Sequence, residues 1–223
     1  MRHFDIEMND LQNRLLDMAS LVQEMIRAAT VGLSGKDLKQ VEKVYSLEKK
    51  VNIQEIVVDD KCLKLIALNQ PVGTDLRFIT SAMRINSDLE RIGDEAVSIS
   101  RMAKDLVKYK ELKPLEDIPN MVLAVENMVV ESIKAFNTSD ADLAFTILKK
   151  DDEVDKLRDK IIDDIKNIIA SSSSSELIQK AVDLIFIAKS IERIGDHATN
   201  ICEDIIFMVH GKDVRHPRAN NKM

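Results

Sequence analysis

The sequence predicts an all-α protein built as two tandem three-helix bundles related by internal duplication. Three observations carry this expectation. Turn formers are scarce: 6 glycines and 4 prolines in 223 residues are too few for a sandwich or barrel, which turns about every 8–12 residues. Apolar residues recur at helical spacing through most of the chain. The pentapeptide Glu90-Arg91-Ile92-Gly93-Asp94 returns as Glu192-Arg193-Ile194-Gly195-Asp196, 102 residues later.

Leu11, Leu15, Met18, Val22, Met25, Ala29 and Leu33 step by three or four and make one face of a first helix, which Gly32 and Gly35 end. A second helix starts near Lys36-Asp37-Leu38 and runs to about Leu68. The turn Asn69-Gln70-Pro71-Val72-Gly73 stops it, because Pro71 lacks a donor and Gly73 permits reversal. Thr74 and Asp75 are candidate caps for a third helix reaching about Tyr109. Pro114 and Pro119 bracket an acidic stretch that is the one plausible linker. A fourth helix covers roughly 118–137, and Asn137-Thr138-Ser139-Asp140 makes a turn. A fifth helix is expected to run unbroken to about Ala170, where Ser171–Ser175 form a short connection. The sixth runs from about Glu176 to His210, with Gly211 as its stop. Its seam is Leu177, Ala181, Leu184, Ala188, Ile191, Gly195, Ala198, Cys202, Ile205 and Val209, the stripe of a helix packed lengthwise on its neighbours. Gly195 inside that stripe suggests a close helix crossing. The first bundle is placed at 1–112, the second at 113–212, and a short tail at 213–223.

Composition narrows the function classes. The chain is 45% apolar and 31% charged, enough for a core and too hydrophobic for a disordered segment. Its net charge of −6 argues against a general nucleic-acid binder. No run of 18 apolar residues and no secretory h-region is visible, so a cytoplasmic location is expected. Cys62 and Cys202 lie far apart, outside any CxxC, and read as small buried hydrophobes of a reducing compartment. No P-loop, G-x-S-x-G, ExxH or Gly-rich dinucleotide turn occurs, so no catalytic constellation shows and no enzyme is expected. His197 follows Asp196 at about 100° around the helix and reads as a surface histidine.

The duplication extends beyond the pentapeptide. Ala96 and Ala198 follow at the same offset, and Glu48-Lys49-Lys50-Val51-Asn52 aligns with Asp151-Asp152-Glu153-Val154-Asp155 at an offset of 103. Glu90 and Asp94 are four apart and share a helix face, as do Glu192 and Asp196, Asp151 and Asp155, and Glu48 with Asn52. Counting outward from each hairpin turn places the two members of each set level, roughly 30 Å from the turn. Clustered carboxylates repel and need compensation. Two compensations are open: a hard cation such as Mg, Mn, Ca or Fe, or a ladder of ion pairs through Arg91, Arg193 and the lysines. Asn52 stands where the second unit has Asp155, which predicts a weaker first site.

With both pentapeptides, the turn Gln70-Pro71-Val72-Gly73-Thr74-Asp75-Leu76-Arg77 and the ending Gly211-Lys212-Asp213-Val214-Arg215-His216 in view, the sequence resembles the PhoU family of phosphate-signalling regulators, from Phe4 to His216. The resemblance implies a cytoplasmic, dimeric negative regulator of the phosphate-starvation response. It implies partners in the ATPase subunit of the phosphate ABC transporter and a sensor histidine kinase, with no nucleic acid and with the membrane reached only through partners. It implies metal ions, as multinuclear iron or zinc clusters or as magnesium or manganese, on Glu48, Asn52, Glu90 and Asp94 in the first unit and Asp151, Asp155, Glu192 and Asp196 in the second. The alternative is a metal-dependent phosphohydrolase or carboxylate-bridged metal enzyme.

Overall fold

The structure, a computed structural model, describes residues 3–106, 117–171 and 174–215. Seven helices fill these residues: α1 (His3–Gly35), α2 (Leu38–Asn69), α3 (Gly73–Leu106), α4 (Asp117–Thr138), α5 (Ala141–Leu148), α6 (Asp151–Ala170) and α7 (Ser175–His210). No strand occurs among the described residues. Helices α1, α2 and α3 pack pairwise as one bundle, and α4 to α7 pack as the second. The expected tandem bundles are therefore present. The bundles join mainly along α3 and α7, with a smaller contact between α1 and α4. The proposed boundary between 112 and 113, and Pro114, lie outside the described residues. Pro119 sits in the first turn of α4, where a missing N–H costs no intrahelical bond.

Local chemistry sets several of the helix ends. Asp37 caps α2 by accepting from the Lys39 backbone at 2.9 Å. Asp140 caps α5 by accepting from Leu143 at 2.9 Å, and Ser174 caps α7 through Leu177 at 3.3 Å. Gly211 closes α7 in the left-handed conformation, φ 67°, and its N–H bonds the Phe207 carbonyl at 2.8 Å.

The fifth predicted helix is broken. Lys149 and Lys150 form a turn between α5 and α6, still right-handed at φ −77° and −79°, so the break is a bend in a helical path. Asp151, Asp152 and Glu153 follow in the first turn of α6. Three carboxylates there favour a new helix start, because the N-terminal end of a helix carries partial positive charge. The duplicate positions in α2 run on without interruption.

Helix α7 is buried on two sides. The predicted stripe is present in Ala181, Ala188, Ile191, Gly195, Ala198, Cys202 and Ile205. A second stripe, Ile187, Ile194, Ile201 and Met208, is buried as well. The helix is enclosed by its own bundle on one side and by α3 on the other. A methyl group added at Gly195 would meet Val125 and Val154 at 3.6 Å, ordinary van der Waals distances. The crossing at Gly195 is therefore less tight than its place in the seam suggests. Both cysteines are free and fully buried, and burial pushes each thiol up to about 12.

Candidate metal centre

The α3–α7 seam is symmetric about the two copies of the pentapeptide. Glu95, two residues after Gly93, meets Arg193, two before Gly195, at 3.3 Å. Asp88, five before Gly93, accepts from Asn200, five after Gly195, at 3.1 Å. Arg84, nine before, pairs with Asp204, nine after, at 3.0 Å. The helices thus cross antiparallel with the repeats related by a local twofold through Gly93 and Gly195. His197 belongs to this seam, with Nδ1 2.8 Å from Asp88 Oδ1 and only 18% of its side chain exposed. The expectation of a surface histidine is corrected. The rotation that turns His197 away from Asp196 turns it toward α3.

The carboxylates lie on the outer flanks of this seam. In the second bundle Glu192 and Asp196 project from α7, and Asp151 and Asp155 project from the start of α6. Burial, then the charges of Glu192, Asp151 and Asp155, push the Asp196 carboxyl up to about 6, with His197 pulling the other way. Asp151 is raised by burial and then by Asp155, Glu192 and Asp152. These mutual effects place all four residues in one electrostatic neighbourhood; their spacing made them level, and helix rotation brings them together. Arg158, which no sequence motif singles out, enters the group. Its Nη1 donates to Asp155 Oδ1 at 2.7 Å and also to Glu192 Oε1. Its Nε and Nη2 face Asp159, at 3.0 and 2.9 Å.

In the first bundle Glu90 is raised by burial and then by Asp94 and Glu55, against the pull of Arg91. Glu55 is raised by burial, then by Asp59 and Asp94. The α2 acid that acts on Glu90 is therefore Glu55. Asn86, fully buried, donates to the Glu55 carbonyl at 3.0 Å and to Asp59 Oδ1 at 2.9 Å. Glu48 is half-buried and Asn52 is exposed, two turns and one turn before Glu55 on the same stripe. A signal for Glu55 was present in the sequence: Glu55 and Asp59 are themselves four apart and extend the stripe of Glu48 and Asn52.

The donor chemistry of both groups suits a hard cation, being carboxylate oxygen with mutual repulsion to relieve. Among the described residues no group of three or more His, Cys, Asp or Glu side chains stands as a ready ion site. An ion would have to draw these carboxylates inward.

The raised Asp196 carboxyl makes stability depend on pH. An unfolded aspartate titrates near 4 and the folded one at about 6. The folded chain holds the extra proton between those values, so the contribution of Asp196 to stability falls as pH rises from about 4 to about 6. With chelator present, Asp196→Asn is expected to melt like the wild type near pH 4 and at a higher temperature at pH 7. Identical melting at pH 7 would contradict this.

Comparison with known proteins fits the duplicated architecture. A family model described as the PhoU domain matches the chain twice, over residues 15–103 and 118–205. The chain belongs to the PhoU family. In this PhoU-family chain the two matched stretches meet between α3 and α4, so each bundle is one copy of the domain. The chain is 32% identical over 212 residues to a phosphate-specific transport system accessory protein PhoU homolog of Clostridium acetobutylicum, covering 95% of this chain and 96% of that one. The crystal structure of PhoU from Pseudomonas aeruginosa superposes with a TM-score of 0.90 at 32% identity, covering 94% of this chain and 100% of that one. The phosphate transport system regulatory protein PhoU from Streptococcus pneumoniae gives 0.87 at 28% identity, covering 95% and 99%.

Proposed function

We propose that this chain is an accessory regulator of phosphate-specific transport that acts by contact and without turnover. The observation that carries the reading is the match of both bundles, over nearly the whole chain, to proteins named as accessory or regulatory components of phosphate transport. In this reading the dimeric protein works on the cytoplasmic side. It links the ATPase subunit of the phosphate ABC transporter to a sensor histidine kinase and holds the starvation response off when phosphate is plentiful. No helix among the described residues is long and apolar enough to cross a membrane.

A one-sided surface supports action by contact. The outer face of α2 leaves Ile53, Ile56 and Leu63 exposed, Ile56 at 69%. The duplicate positions on α6 are Lys156, Asp159 and Lys166. Exposed apolar side chains in a row mark interaction surfaces more often than solvated ones.

Cation binding belongs to the same proposal. Glu48, Asn52, Glu90 and Asp94, joined by Glu55, and Asp151, Asp155, Glu192 and Asp196 would hold hard ions that neutralise their crowding and stiffen each helix pair. Iron or zinc clusters, magnesium and manganese are the candidate ions.

The test is deletion of the gene in its host and measurement of alkaline phosphatase in high phosphate. The expected result is output that no longer falls when phosphate is supplied. Normal repression in the deletion strain overturns the regulatory reading.

A further inference from the structure

We infer that the guanidinium of Arg158 is the resident cation of the second carboxylate cluster, and that a divalent ion enters that cluster only by displacing it. This rests on the cation reading above. Three observations support it. Both Nη1 hydrogens of Arg158 are engaged by the cluster, one on Asp155 at 2.7 Å and one on Glu192, and the side chain is only 21% exposed. A guanidinium offers a rigid fork of donors that fits carboxylates better than a lysine ammonium does. The remaining edge is held from outside by Asp159, so the group is anchored on both sides. Third, the two repeats differ at this position. Arg158 lies 103 residues after Glu55, the offset that aligns Glu48 with Asp151 and Asn52 with Asp155. The first bundle therefore adds an acid where the second supplies a positive charge. Arg91, beside Glu90, is ion-paired to none of these acids among the described residues. Asn52 alone would make the first cluster the poorer ion site; the exchange at 55 and 158 puts the obstacle in the second.

An entering ion must break at least one charge-assisted hydrogen bond, enough to weaken apparent affinity at the second cluster by about tenfold or more. The test uses metal-stripped, full-length protein titrated with Mn²⁺, with free Mn²⁺ followed by electron paramagnetic resonance. The proteins compared are the wild type, Arg158→Gln, Arg158→Lys and the double variant Glu192→Gln/Asp196→Asn. The glutamine is expected to tighten one class of bound Mn²⁺ by at least about tenfold, and the lysine, which keeps the charge but not the fork, to tighten it less than the glutamine does. The double variant is expected to lose only the weak wild-type class. Melting supplies an independent readout: Mn²⁺ should raise the melting temperature of Arg158→Gln more than that of the wild type.

Unchanged Mn²⁺ binding in Arg158→Gln overturns the inference while leaving the cation reading standing. So does loss of the tight class in the double variant, which stays decisive if Arg158→Gln does not fold. Absence of bound Mn²⁺ in all four proteins overturns the cation reading and this inference with it.

Discussion

Replacing Phe136 by alanine is expected to destabilise the protein by about 4 kcal/mol, a large loss for a single side chain. Phe136 of α4 is 1% exposed, and its ring stacks on Phe78 of α3 with centroids 5.9 Å apart and planes 23° from parallel. The residue therefore belongs to two cores, since α4 is in the second bundle and α3 in the first. Truncation removes the transfer free energy of a large ring, leaves a cavity that close-packed helices fill poorly, and ends an aromatic pair worth about 1 kcal/mol. For a chain of this length the melting temperature should fall by roughly 8–16 °C. Phe136→Leu keeps much of the volume and should lose less than half as much. Urea unfolding of the three proteins checks this, and a loss under about 1 kcal/mol for the alanine variant would show that the joint repacks without cost.

The second large effect is expected at Arg84. Its Nη1 lies 3.0 Å from Asp204 Oδ1, and the Asp204 side chain is 6% exposed. The guanidinium also stands over the Phe207 ring, 5.5 Å from its centroid. Burial raises the Asp204 carboxyl, and Arg84 draws it back. Arg84→Ala removes the hydrogen-bonded counter-charge of a buried carboxylate and leaves only the more distant pull of Arg215. The cost should be about 2–3 kcal/mol at pH 7, below the full value for a buried pair because Arg84 is 41% exposed. Without Arg84 the carboxyl binds a proton more readily, so acid relieves the defect, and the gap to wild type should narrow from pH 7 to pH 5. Asp204→Asn in the Arg84→Ala background should recover part of the loss at pH 7. A gap that is constant with pH would assign the effect to lost packing on Phe207 instead.

Phe136 and Arg84 both sit at the joint between repeats, and the Arg84–Asp204 pair is not duplicated in kind. The counterpart of Arg84, 102 residues on, is Phe186, and the counterpart of Asp204 is Met102. The Arg84–Asp204 pair therefore has no ionic counterpart at 102 and 186, although Glu95 and Arg193 pair on that same side of the local twofold.

Much of this protein is legible in its sequence. Helix ends follow from single residues acting on the nearest backbone, as at Asp37, Asp140 and Gly211. The duplication is visible because a repeated string is a linear property. That Asp151, Asp155, Glu192 and Asp196 lie level follows from a four-residue step and from equal distances to a turn, which depend only on helix rise and pitch. What those rules leave open is the rotation of each helix about its own axis. That rotation selects Glu55 to face Asp94, turns His197 into the seam against Asp88, and carries Arg158 between Asp155 and Glu192. It is set by how side chains from three or four helices fill shared space, a sum over contacts distant in sequence. The two-sided burial of α7 comes from the same source. The order of residues alone dictates an acidic, duplicated, all-helical PhoU-family chain with level carboxylates. Which charges meet is a matter of packing between helices, because local chemistry acts within a helical turn whereas packing acts across the whole core.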